Sequence, residues 1–143
     1  MQEKILTFVV NEEGKFLLLL GSDKDPQFHK SFWYVITGAK EEIDNTLEET
    51  VRRETKEETN LELDKVINLN QTYQYESLGK QCVEHVFLSY TKDKNIKLNE
   101  ESIDYAWLFL EEFIERIYWH YDKKELKKWL EKEVERNWKE RLF

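Results

Sequence analysis

Three carboxylates, Glu54, Glu57 and Glu58, crowd into the run Arg53-Glu54-Thr55-Lys56-Glu57-Glu58. On a helix, Glu54 and Glu58 are related as i, i+4, and Glu54 and Glu57 as i, i+3, so the three project from one side. Like charges so placed repel unless a cation sits between them. A hard divalent ion that takes oxygen ligands, Mg²⁺ or Mn²⁺, is the natural candidate. The competing reading is a solvated face, since 36% of the chain is charged and charge runs on helices usually face water. Ordinary packing, however, would mark the helix with an apolar stripe, and between Leu47 and Thr59 only Leu47 and Val51 are strongly apolar. Arg53 is i, i+4 to Glu57 and can orient the glutamates by ion pairing, a role compatible with an ordinary helix salt bridge.

The elements that must position this cluster can be read along the chain. Thr46-Leu47-Glu48-Glu49 fits a capping box, with Thr46 as N-cap and Glu49 reaching back to it, which starts the helix at Leu47. Asn60 stands where the chain leaves the helix in left-handed geometry, and Asn is the best non-glycine residue there. Ahead of the helix, Ile5 to Val10, Lys15 to Leu20 and Phe32 to Thr37 read as strands, with a turn at Asn11–Gly14 and a loop from Gly21 to Lys30. The Leu17–Leu20 run predicts a strand buried on both faces. Behind the helix, Lys65 to Tyr75 and Cys82 to Thr91 form a strand pair around a loop at Glu76–Lys80. Lys92 to Glu101 is loop-like, Tyr105 to Phe109 a strand, and Leu110 to Tyr118 a short helix. A last helix starts at Lys123, with Asp122 and Glu125 as a capping pair. Its stripe of Leu126, Trp129, Leu130, Val134 and Trp138 follows helical spacing. Strands and helices mixed in this order imply helices on both faces of a mixed sheet, an α/β class.

The chain has 143 residues, close to the commonest domain size, and no linker, repeat or low-complexity tract divides it, so residues 1–143 are expected to form one domain. No apolar run approaches the ~20 residues that span a bilayer, and the N-terminus lacks the pattern of a signal peptide. The one cysteine, Cys82, rules out an internal disulfide and is expected in the core; a cytoplasmic location suits it. The net charge of −8 comes with no basic stripe, which argues against extended nucleic-acid binding. His29, His85 and His120 show no metal-ligand spacing. Trp138, Leu142 and Phe143 extend the last apolar stripe and raise a homodimer as a possibility.

Phe32-Trp33-Tyr34-Val35-Ile36-Thr37-Gly38-Ala39-Lys40-Glu41-Glu42, followed by Arg53-Glu54-Thr55-Lys56-Glu57-Glu58-Thr59-Asn60-Leu61, resembles the Nudix box, G-x5-E-x7-R-E-U-x-E-E-x-G-U, where U is a bulky aliphatic residue. With Arg53 and Glu54 on the R-E pair, the first glycine falls on Ala39, the isolated glutamate on Asn45, the following aliphatic on Thr55 and the second glycine on Asn60. The R-E-x-x-E-E core is intact. The segment F-W-x-V-x-T-G is similar to the branch that includes dihydroneopterin triphosphate and dATP pyrophosphohydrolases.

The resemblance implies a Nudix α/β/α sandwich with a mixed sheet and a catalytic loop-helix-loop. It implies a Mg²⁺- or Mn²⁺-dependent pyrophosphohydrolase that takes a nucleoside or pterin triphosphate to monophosphate and pyrophosphate. Glu54, Glu57 and Glu58 would be the metal ligands. Glu101, ahead of Tyr105-Ala106-Trp107, would approach the metals as a further ligand. It also competes with Glu54 and Glu57 as general base. Trp33 and Phe28 could stack on a base, with Gly38 at the substrate approach; a core position for Trp33 is the alternative. Tyr73, Tyr75 and His85 either line a pocket or face the core. Two other functions stay open. One is hydrolysis of another nucleoside-diphosphate-linked compound, such as a dinucleoside polyphosphate or nucleotide sugar. The other is a non-hydrolytic nucleotide-binding module, which Asn45 and Ala39 motivate.

Overall fold

Along the first strand, β1 (Gln2–Val10), successive side chains serve two different cores, because alternate residues of a strand point to opposite faces of its sheet. Leu6, Phe8 and Val10 belong to one cluster and Ile5 and Val9 to the other. The strand β2 (Phe16–Gly21) divides in the same way, with Phe16 and Leu18 on the first side and Leu17 and Leu19 on the second. The Leu17–Leu20 run is thus buried on both faces, as its composition predicts. The first core is closed by α2 (Leu110–Arg116) and α3 (Lys123–Arg136) through Phe113, Ile114, Ile117, Leu126 and Leu130. The second is closed by α1 (Leu47–Thr59) through Val51, and by Leu61 and Leu63 just after it. This computed structural model describes residues 1–22 and 31–137 and is an α/β/α sandwich. The expectations for Phe28, His29, Trp138, Leu142 and Phe143 fall outside the described residues.

The sheet is mixed. β6 (Lys80–Tyr90) runs parallel to β1 along its whole length, and β5 (Lys65–Ser77) pairs antiparallel with β6 at the edge. β1 and β2 meet only where Val10 faces Phe16 and then diverge. The gap between them is bridged by one stretch of chain that changes partner midway. β3 (Trp33–Tyr34) pairs with β2, and after Val35 β4 (Ile36–Ala39) pairs with β1. The expected single strand Phe32–Thr37 is therefore two short ones. β7 (Ser102–Leu108) pairs along β2. It starts earlier than expected because its polar first residues take ladder positions opposite Gly21 and Leu20.

The expected loop at Glu76–Lys80 is a tight hairpin: Leu78 and Gly79 both have positive φ, 52° and 79°, which suits a two-residue turn of a twisted ribbon. Its flanking strand ends carry polar, solvent-facing residues, which is why composition reads as loop there. Cys82 is fully buried, as expected. No described helix is long and apolar enough to cross a membrane.

The helix that carries the glutamates is held at both ends. The Glu49 amide donates to Thr46 Oγ1 at 3.2 Å and the Thr46 amide to Glu49 Oε2 at 3.1 Å, the predicted capping box. Asn60 terminates the helix at φ 67°. Before the cap, residues 40–46 turn around the buried carboxylate of Asp44, which is 5% exposed. It accepts hydrogen bonds from the Glu41 amide at 3.0 Å, Thr50 Oγ1 at 3.0 Å and Arg53 Nη2 at 2.8 Å. The Arg53 bonds, above all, hold this carboxyl well below the usual carboxylate range. A depressed carboxyl stabilises the fold above its ordinary pKa near 3.8 and loses that contribution as pH falls toward its folded value. Asp44→Asn should therefore destabilise the protein by about 2 kcal/mol at pH 7, the scale of a hydrogen bond to a charged group. The gap between thermal melts of the two proteins should stay constant from pH 7 to 5 and begin to narrow as pH falls below about 4; a gap independent of pH down to pH 2.5 would contradict this account.

Candidate active site

Arg53 is the hub of the α1 surface. Besides Asp44, its guanidinium donates to the Ala39 carbonyl through Nη2 at 2.9 Å, and through Nη1 to Glu54 Oε1 at 3.0 Å and Glu57 Oε2 at 3.2 Å. A looser ion pair reaches Glu41 at 3.4 Å. The planar fork thus ties the end of β4, the turn at Asp44 and two of the three helix glutamates into one unit. The hydrogen bonds to Asp44 are the main reason the guanidinium is held even more firmly protonated than usual.

The three glutamates occupy different surroundings. Glu57 is half exposed and lies on Arg53. Glu54 is mostly covered, and burial raises its pKa, opposed by its contacts with Glu58 and Arg53. Glu58 is buried, its Oε2 has no hydrogen-bond partner among the described residues, and its carboxyl is pushed up to about 10. Burial is the main cause, followed by the charges of Glu101 and Glu54, by the hydrogen bond shared with Glu54, and by the charge of Glu57. Glu101 comes from the other half of the splayed sheet: its carbonyl accepts from the Ser22 amide at 2.9 Å, at the start of β7. The structure therefore brings Arg53, Glu54, Glu57, Glu58 and Glu101 into one neighbourhood. Among the described residues no three acidic, His or Cys side chains already converge on a single ion position, since Glu57 is turned to Arg53 while Glu58 points inward. The donor set is nonetheless all oxygen. A buried carboxyl with one oxygen unbonded and acidic groups around it is the kind of group that a hard divalent cation satisfies.

Gly38 is packed against this cluster. A Cβ on it would overlap Cδ, Cγ and Oε1 of Glu54, so only glycine leaves room for that carboxylate. Its neighbour Thr37 faces the other way and lines a cavity of about 410 Å³ on the α2/α3 side of the sheet, a size suited to a small ligand. The walls are aromatic: Phe32, Tyr34, Tyr73, Tyr75, Trp119 and Tyr121 all contribute. Tyr73 and Tyr75 thus line the pocket, while His85 alternates to the opposite face and lies 3.4 Å from Glu3. Trp33 is not among the lining residues. Its ring lies 5.3 Å from the Arg116 guanidinium, and its strand neighbours Phe32 and Tyr34 face the cavity instead.

Two residues of this region escape a reading by strict motif spacing. Asp44, one residue before the Asn45 on which strict spacing sets the isolated glutamate, is the acid that Arg53 binds; counted from Gly38 rather than Ala39, it stands at the G-x5 position, and that count is the available signal. Glu84, buried on β6 and facing the cavity, gives no signal because a lone acid in a strand reads as solvent-facing.

The fold has many counterparts among solved structures. A Methanosarcina mazei MutT protein superimposes with a TM-score of 0.68 at 24% identity, covering 95% of this chain and 94% of that one. The Escherichia coli dihydroneopterin triphosphate pyrophosphohydrolase gives 0.67 at 21% identity, with 88% and 92% covered. The NUDIX domain of Shewanella oneidensis NrtR, solved with ADP ribose, gives 0.71 at 16% identity, with 92% and 87% covered. No curated protein matches the sequence. The NUDIX domain family model matches residues 2–130, nearly the whole chain, so with the R-E-x-x-E-E helix seated on β4 this protein belongs to the Nudix family.

Proposed function

We propose that the protein is a pyrophosphohydrolase that cleaves a nucleoside or pterin triphosphate to monophosphate and pyrophosphate, with Mg²⁺ or Mn²⁺ held by Glu54, Glu57, Glu58 and Glu101. Divalent metals and pyrophosphate-containing substrates are general to the family; the triphosphate and the ligand set are our reading. One observation carries it. The Glu58 carboxyl, buried and with Oε2 unbonded among the described residues, lies among other acidic groups on one side of β4, and an aromatic cavity of about 410 Å³ opens on the other. Thr37 lines the cavity and Gly38 abuts Glu54, so consecutive residues of one strand face the two. The second edge of β4 pairs with no strand among the described residues, leaving a route over which a phosphate chain can run.

When bound, the metal supplies a lowered pKa for attacking water and screening for the phosphate oxygens. The chain supplies the rest. The aromatic walls stack on the heterocycle and exclude water from it. Arg53 holds Glu54 and Glu57 at set angles, and Asp44 in turn holds Arg53. Gly38 gives Glu54 its room. Glu101, exposed at the start of β7, accepts the proton of the attacking water, with Asn99 Nδ2 bonded to its Oε2 at 3.2 Å. In-line displacement needs little covalent help from the protein beyond this positioning and charge balance. A second reading, a nucleoside-diphosphate-linked substrate, is favoured by the ADP ribose bound to the Shewanella relative.

A metal-dependent hydrolysis screen separates the two. Nucleoside triphosphates and dihydroneopterin triphosphate should yield monophosphate and pyrophosphate, whereas turnover of ADP ribose or diadenosine polyphosphates alone would support the second reading. Glu58→Gln should lower turnover on the order of 100-fold, as for loss of one preorganised charge interaction. It should also abolish the rise in thermal midpoint that Mg²⁺ or Mn²⁺ gives the wild type. A variant still stabilised by metal would remove Glu58 from the ligand set. In Gly38→Ala the intruding methyl meets a movable side chain, so Glu54 shifts and the backbone does not. The expected result is a large loss of kcat with a thermal midpoint within a few degrees of wild type; unaltered kcat would remove Glu54 from the chemistry.

A further inference from the structure

Glu84 is the one carboxylate among the described residues that line the aromatic cavity, and nothing in the hydrolytic scheme uses it. It stands beside Lys4 across the β1–β6 ladder and beside Tyr73 across the β5–β6 ladder. Side chains on this face point into the cavity, and the residue is only 7% exposed. Tyr75 donates its hydroxyl to Glu84 Oε2 at 3.2 Å, and no described residue donates to Oε1. Burial and the nearby Glu84 raise the pKa of Tyr75, so the phenol keeps its proton and remains a donor. Burial raises the pKa of Glu84 above its ordinary value, and the Tyr75 bond and the Lys4 charge offset part of that rise. A carboxylate bonded to one phenol and beside one lysine keeps acceptor capacity to offer a ligand, because each oxygen can accept more than one hydrogen bond. The adjacent walls Tyr34 and Trp119 pack on one another, centroids 6.3 Å apart and planes at 35°, and with Tyr73 give the cavity an aromatic surface that a flat heterocycle can cover.

We propose that Glu84 selects the heterocycle, accepting hydrogen bonds from a ring N–H and the adjacent exocyclic amino group of a 2-amino-4-oxopyrimidine edge, the edge shared by guanine and pterin. Adenine offers an amino group beside a bare ring nitrogen, whose lone pair would face the carboxylate. Hypoxanthine keeps the ring N–H and loses the amino group. The inference rests on the reading that this cavity receives the heterocycle of the substrate.

The test is calorimetric binding of GMP, IMP and AMP to the wild type, Glu84→Gln and Tyr75→Phe, alongside kcat/KM for GTP, ITP, ATP and dihydroneopterin triphosphate. Glutamine preserves the volume and can still accept from Tyr75, so the fold should persist; a thermal melt checks this. The wild type should bind GMP at least about tenfold more tightly than IMP or AMP, the scale of one hydrogen bond to a charged group. Glu84→Gln should lower the GMP-to-AMP ratio about tenfold or more, because an amide can donate to the adenine ring nitrogen. Tyr75→Phe, which frees the carboxylate to turn, should lower it by a smaller factor. GTP against dihydroneopterin triphosphate decides between the two carriers of the shared edge. An unchanged GMP-to-AMP ratio in Glu84→Gln, or a wild type that does not prefer GMP, overturns the proposal. A wild type that prefers GMP but hydrolyses no triphosphate leaves Glu84 in its role and overturns the proposed reaction instead.

Discussion

Asp44 and Arg53 form a partly buried ion pair that the rest of the site leans on. An ion pair taken out of water is weakly stabilising at best unless the remaining hydrogen-bonding capacity of both partners is satisfied. Here it is: Asp44 also accepts from the Glu41 amide and Thr50, and Arg53 also donates to the Ala39 carbonyl, Glu54 and Glu57. The pair therefore does more than balance charge. It fastens the first two turns of α1 to the end of β4, and it sets the directions in which two of the glutamates leave the helix.

That arrangement separates what stabilises the helix from what acts on its surface. The caps at Thr46 and Asn60 and the apolar contact of Val51 settle where α1 begins, ends and docks. The buried face is otherwise polar, with Thr50, Thr55, Glu58 and Thr59 all inside. A helix so composed gains little from hydrophobic burial and depends on its flanking turn and cap. Glu58 is the residue where that dependence is greatest, because its desolvated carboxylate is opposed by every neighbouring acid and has no described hydrogen-bond donor at Oε2.

The divergence of β1 and β2 shapes the other half of the site. Had the two strands paired along their length, the segment from Trp33 to Ala39 could not bridge them, and Thr37 and Gly38 could not serve opposite faces. Because side chains alternate along a strand, one residue of β4 looks to the aromatic cavity and the next to the glutamates. Glu101 joins from β7, which follows β2 away from β1.

The sequence by itself determined the local features: the capping box, the left-handed exit at Asn60, the position of α1, the doubly buried Leu17–Leu20 strand and the R-E-x-x-E-E spacing. Each rests on neighbours within a few residues, so a linear reading contains the physics. The tertiary structure decided the pairings across long separations. The partner of Arg53 is Asp44 and not a residue at Asn45, because the turn geometry, rather than a count, brings a carboxylate under the guanidinium. Phe32 and Tyr34, rather than Trp33, face the cavity, since a strand that changes partner at Val35 settles which alternate residues point there. Glu84 is buried in an aromatic pocket only because β1, β5 and β6 meet around it, and nothing in its own neighbourhood of sequence encodes that meeting.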